Sequence, residues 1–200
     1  MKFLRGQSLI ELLIAMTVII VGLTSATTMI FSNVRLQERS GNRVETINLA
    51  REGIELAKAH RDSNWLAGVP FDTGFYDPST LDFTATPNTD GGTFAGFNFA
   101  GSLGFLFGAP YEPELYMKAS DNPASPGLIT QGTGVTGAAT QYLRILVFNP
   151  ICADGVVITA DTTDCTGHGA KVGIHIISVV ASVSRDVETT VVEDDLYDWR

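Results

Sequence analysis

Residues 1–31 read MKFLRGQSLIELLIAMTVIIVGLTSATTMIF, and the architecture of the whole chain turns on them. From Leu9 to Phe31 the residues are apolar apart from a few hydroxyls and one carboxylate, Glu11. As a helix rising about 1.5 Å per residue, this segment reaches roughly 34 Å, enough to cross the hydrocarbon core of a bilayer. A carboxylate there costs about 2.5–3.5 kcal/mol near the midplane and less toward the ends, so Glu11 reads as a functional residue that wants a partner. Lys2 and Arg5, ahead of the apolar run, stay on the cytoplasmic side by the positive-inside rule.

Two readings of the leader compete. In an uncleaved signal anchor, Glu11 would snorkel to the nearby interface. An ordinary secretory signal is cut after its apolar core at a site of A-x-A type, whereas here the small residue, Gly6, precedes the core. The chain is therefore expected to be cut before the helix. A basic leader, Gly6, and then Q-S-L-I-E with the acid fifth after that glycine resembles the class III leader of type IV prepilins and type II secretion pseudopilins. The resemblance implies cleavage by prepilin peptidase between Gly6 and Gln7, N-methylation of Gln7, and a role for Glu11 in assembly by charge pairing. Gln7 stands where the family most often has Phe. Cleavage leaves an amine within a few residues of a membrane-embedded carboxylate. In an axially displaced neighbour the two attract far more strongly in a low-dielectric medium than in water.

With 200 residues, 44% hydrophobic, the chain can bury one substantial core once the stem is set aside. Three parts are expected: a cleaved leader over 1–6, a helical stem over 7–63 that includes the transmembrane segment 9–31, and a β-rich head over 64–200. The head carries 5 Lys or Arg against 16 Asp or Glu, which argues against nucleic acid as a partner, because phosphate binding needs a basic stripe. Past the membrane, Val44, Ile47, Ala50 or Arg51, Ile54, Ala57 and Lys58 recur at three- and four-residue steps and predict an amphipathic continuation of the helix. Gly22 and Ser40-Gly41 are candidate bends, and Asp62-Ser63-Asn64 has the composition that ends helices. Arg35, Arg39 and Arg43 share one helix face, facing either lipid headgroups, the acidic heads of adjacent subunits, or solvent with relief from Glu38. Arg51, Glu52, Glu55 and Lys58 read as surface pairs. A-R-E-G-I-E from Ala50 and R-D-S-N-W from Arg61 resemble segments of PilV-type pilus modification proteins, a group of minor pilins.

From Ala67 to Thr140, seven prolines and clusters of Gly, Asp, Asn and Thr exclude a long helix. Asp90-Gly91-Gly92 marks a turn, after which Phe94, Phe97, Phe99, Phe105 and Phe107 suggest strands with one aromatic, core-facing side. Residues 121–140 read as an exposed loop. The β-branched runs Tyr142 to Phe148, Val172 to Val183 and Val187 to Leu196 predict three antiparallel strands, the last two joined by Ser184-Arg185-Asp186. A long helix laying its apolar stripe on such a sheet gives an α+β subunit, and the ladle-shaped pilin architecture is what the leader implies.

Cys152 and Cys165 are the only cysteines, and in an exported head a disulfide between them is the default, worth about 3 kcal/mol on the chain-entropy model. A zinc site built on Cys152, Cys165 and His168 lacks an obvious fourth ligand. Asp154, Asp161 and Asp164 crowd the same loop without an EF-hand pattern, so a solvated turn is expected and not a calcium site. His168 reads as a loop residue and His175 as a structural imidazole in a strand. No G-x-S-x-G, P-loop, H-E-x-x-H or dinucleotide fingerprint is present, so neither catalysis nor a cofactor is expected.

The expected function is that of a structural subunit, a minor or modifying pilin of a type IV pilus or related filament. A major pilin or secretion pseudopilin is the alternative, and a membrane-anchored enzyme or solute-binding domain the outsider. Its partners would be other pilin or pseudopilin subunits, prepilin peptidase, the inner-membrane assembly machinery and membrane lipid. Before assembly it would be a single-pass inner-membrane protein with an exported head, and afterwards part of a pilus or pseudopilus at the cell surface or in the periplasm.

Overall fold

Helix α1 spans Leu9–Ala67 and includes Gly22 and Gly41 without interruption. A computed structural model describes it together with the rest of residues 9–76, 84–90, 93–99, 116–120, 129–131, 137–159, 165–183 and 187–198. Two compact units divide the chain, Met1–Asn42 and Arg43–Arg200. The helix outlasts its expected stop because Asp62, Ser63 and Asn64 do not compete for its backbone. Ser63 Oγ donates back to the His60 carbonyl (2.7 Å), while the Asn64 amide reaches outward to the carbonyls of Phe71 (3.1 Å) and Thr73 (2.8 Å). The stop comes at Gly68, whose φ of 73° only glycine adopts freely. Its N–H bonds the Trp65 carbonyl and that of Val69 the Asn64 carbonyl, both at 3.1 Å, which is a Schellman cap.

Among the described residues of the second unit, seven strands form one antiparallel sheet: β1 Thr84–Asp90, β2 Thr93–Phe99, β3 Tyr116–Ser120, β4 Ile129–Thr130, β5 Gly137–Cys152, β6 Lys171–Val183 and β7 Val187–Tyr197. The sheet and the helix make the fold α+β. β5 is the spine. One of its edges pairs with β6, which pairs in turn with β7. The other edge is shared by β3, opposite Gly137 to Leu143, and β1, opposite Leu146 and Val147. The three expected C-terminal strands are these last three, with β5 longer at both ends. It begins inside the stretch expected as an exposed loop and continues through Pro150, whose carbonyl accepts the Ile158 N–H at 2.9 Å. Within the same supposed loop lies β4, and Thr130 and Gln131 are fully buried. Residues 184–186, Gly91, Gly92, Phe105 and Phe107 lie outside the described residues.

The helical face that meets the sheet is chosen by size more than by apolarity. Thr46, Leu49, Ala50, Gly53, Ile54, Ala57, Arg61, Asn64 and Trp65 are buried, so of the alternatives Ala50 and Arg51 it is Ala50 that faces the sheet, whereas Val44, also expected on the stripe, is exposed. A Cβ on Gly53 would lie 2.8 Å from Leu146 Cδ2 and 2.9 Å from Ser178 Oγ, so backbone and sheet approach too closely for a side chain there. Around this contact Ile54, Ala57 and Trp65 pack with Leu146, Phe148 and Ile176, and Leu49 and Ala50 pack with Met117, Tyr142 and Val180. Polar ties flank them: Thr46 with Thr190 (2.8 Å), Tyr142 with Glu45 (2.7 Å) and Lys58 with Asp194 (2.9 Å). Leu143, Ile145 and Ala181 form a separate buried cluster on the opposite face of the sheet.

The aromatic side of β2 depends on a bulge. Asn88 opposes Gly96 and Thr89 opposes Phe94, so Ala95 is the extra residue. Without it, Phe94 would point away from Phe97 and Phe99. With it, all three oppose alternate residues of β1, and the Phe94 and Phe97 rings meet at 5.1 Å.

Candidate functional site

From Leu9 to Phe31, every large apolar side chain is more than half exposed, between 54% and 75%. This part of α1 is long and apolar enough to cross a membrane. Its five hydroxyls, on Thr17, Thr24, Ser25, Thr27 and Thr28, each bond a carbonyl three or four residues back at 2.8–3.0 Å. None of these five hydroxyls is left unsatisfied. Glu11 differs. Among the described residues it has no hydrogen-bond or ionic partner. Gly6 and Gln7, the expected cleavage site, lie outside the described residues. Arg35, Glu38, Arg39 and Arg43 are all exposed.

The second unit holds a charge that the sequence analysis passed over. Arg144 sits on the helix-facing side of β5 with no exposed surface. Its Nη1 donates to the Leu49 carbonyl (3.0 Å) and pairs with Glu52 Oε2 (3.2 Å), and its Nε donates to Gln131 Oε1 (3.2 Å). Gln131 Nε2 returns a bond to the Arg144 carbonyl at 2.7 Å, and Gln131 exchanges further bonds with Thr89. Burial pushes the guanidinium's pKa down, and Glu52 opposes that shift. Glu52 is thus the counter-ion of a core arginine, not the ordinary surface residue expected. The available signal was the run Y-L-R-I-L-V-F, in which one cation stands at a core position of the strand.

His60 was also missed. Its ring meets Phe75, Phe94 and Phe97 edge-on at 5.1–5.8 Å, and Nε2 lies 3.0 Å from the Thr73 carbonyl. Accepting that proton fixes the neutral tautomer with hydrogen on Nε2, and burial lowers the pKa. The imidazole thereby anchors the turn after α1, which inserts Phe71 and Phe75 into the core. Lys171 pairs with Asp72 across the same region.

Cys152 and Cys165 are disulfide-bonded, with Cα atoms 5.6 Å apart, and they close the connection between β5 and β6. Asp154 bonds His168 (2.8 Å) and the Val156 N–H (3.1 Å), contacts that hold its carboxyl below the usual range. Asp161 and Asp164 lie outside the described residues, among which no trio of His, Cys, Asp or Glu could hold a metal. His175 bonds Asp195 across the β6–β7 pair at 2.6 Å, a structural imidazole. Scans against family models, curated proteins and solved structures find no match.

Proposed function

We propose that this chain is a pilin-like structural subunit, cut between Gly6 and Gln7, inserted through residues 9–31 and assembled through that helix into a type IV pilus or related filament as a minor or modifying pilin. The observation that carries this reading is the contrast inside one apolar segment: five hydroxyls satisfied by their own helix, and one carboxylate, Glu11, without a described partner. A charge left in lipid in this way is costly, and the amine created by cleavage is the natural counter-charge in an adjoining copy. The α+β fold and the disulfide-bonded, acidic second unit agree with an exported head.

N-terminal sequencing of membrane-inserted protein from a peptidase-positive host should read from Gln7. Full-length protein starting at Met1 would refute the reading. Glu11→Ala and Glu11→Gln should be cleaved and inserted normally, since losing a charge only eases insertion, yet fall by about tenfold or more in the ratio of filament to membrane protein. Glu11→Asp, one methylene shorter, should be intermediate. Unchanged ratios would remove the pairing role.

A further inference from the structure

We propose that Arg35 and Arg39 bind the phosphates of anionic lipid headgroups at the membrane surface where the apolar span over residues 9–31 ends. Both belong to the unit Met1–Asn42, on uninterrupted helix α1, and both are exposed. Between Gln7 and Val34 the sequence holds no Lys or Arg, so these are the first cations met on leaving the apolar run. At about 1.5 Å per residue, Arg35 lies roughly 6 Å past Phe31 and Arg39 roughly 12 Å. The headgroup region adds about 5–8 Å on each side of the hydrocarbon. Side chains on a helix lean toward its N-terminus, which here is the membrane side, and a long guanidinium arm extends along that lean to the interface. Arg35 is thereby level with the phosphates, and Arg39 reaches back to them from one turn farther on.

The surroundings suit that boundary. Val34 and Leu36 flank Arg35, apolar and exposed, as residues at the meeting of acyl chains and headgroups can be. The four-residue spacing puts both guanidinium groups on one helix face, so a single patch of headgroups serves the two. Glu38, also exposed, offsets part of their charge without cancelling it. Position decides between occupants. A carboxylate from another copy would have to enter the headgroup layer, where phosphates already stand at high density. Residues 64–200, with 5 basic and 16 acidic side chains, are repelled by the same anionic surface, so a preference for such lipid maps to the stem. The inference deepens the membrane part of the function proposed above and rests on that part alone.

The test places the full-length chain carrying Phe31→Trp in mixed vesicles of phosphatidylcholine and phosphatidylglycerol, with bromine on the acyl chains of one lipid or the other. The parent chain, with Trp65 and Trp199, supplies the fluorescence background. Quenching should report phosphatidylglycerol enriched about fivefold over its bulk share beside residue 31. Arg35→Gln combined with Arg39→Gln, or high salt, should return the ratio to that of the bulk. Arg35→Gln alone should lose more than Arg39→Gln alone, and Arg51→Gln, exposed farther along α1, should change nothing. Equal quenching by the two lipids overturns the headgroup site and leaves the filament reading standing. Enrichment that survives loss of both arginines overturns the site as well. Equal quenching together with self-association that the double variant weakens assigns the arginines to carboxylates of another copy, which also overturns it. Quenching by neither lipid means that the span is outside the bilayer, and the proposed function falls with the site.

Discussion

Residues 9–31 and residues 46–65 belong to one helix, yet they treat apolar surface in opposite ways. In the first region no large apolar side chain is buried, Gly22 has nothing within 4 Å of a hypothetical Cβ, and the single charge has no described partner. In the second, Gly53 is so close to the sheet that a Cβ would collide, and the charge that reaches the helix from β5, Arg144, is bonded to Leu49, Glu52 and Gln131. A helix folded against its own chain meets most of its contacts locally, although among the described residues Arg144 Nη2 and Ser178 Oγ are buried without a hydrogen bond. One left bare keeps its apolar side chains exposed and its one carboxylate without a described partner.

Arg144→Ala is the strongest way to sharpen that contrast. It empties a fully buried site and strips Gln131 Oε1 of its charged donor, so the head should lose about 3 kcal/mol, read as a lower urea midpoint. Glu11→Ala should leave the same midpoint unchanged. Reducing the Cys152–Cys165 bond comes next, lowering head stability by about 3 kcal/mol or somewhat less while the protein stays in the membrane. Mass spectrometry of unreduced digests should show the two peptides joined, and free thiols in fresh protein would break the prediction. Gly53→Val should cost about 1–3 kcal/mol by overpacking against Leu146 and Ser178, against no measurable cost to the head for Gly22→Val. Equal effects at the two glycines would dissolve the comparison.

The smallest expected effect is a pH dependence. The folded state lowers the His60 pKa from its ordinary 6.5, so the unfolded chain binds the proton first as pH falls. The stability from the neutral imidazole is complete above pH 6.5 and is lost between that value and the lowered folded pKa. His60→Phe, which keeps a ring against Phe75 and Phe97, should remove about 2 °C of the Tm difference between pH 7.5 and 5.5. His168 and His175, still present, supply the background to subtract.

Much of the fold was legible because it repeats. A 23-residue apolar run and three β-branched runs announce themselves by period and length, and the helix and β5–β7 fall on them. What escaped depends on single contacts between distant residues. Val44 looked like core, but the sheet contact is made by Gly53 between the expected Ala50 and Ala57, a choice made by clearance. Glu52 looked superficial because its partner lies 92 positions away on β5. Helix α1 ran past Asn64 because that side chain bonds the following turn instead of its own helix. Glu11 needed no such partner to stand out, since its anomaly is local: a carboxylate where the pattern demands carbon.

The bond between Cys152 and Cys165 also bears on how identical molecules stay separate when crowded. If copies assemble side by side as proposed, they carry the same strands, and β6 of one could pair with β5 of another were the connection between them to swing open. That connection runs from Ala153 to Ala170. The crosslink leaves only residues 166–170 free between the anchored sulfur and Lys171, a tether of about 20 Å at full stretch. β6 is thus leashed to its own neighbour, which shortens the distance over which it could be exchanged with another molecule.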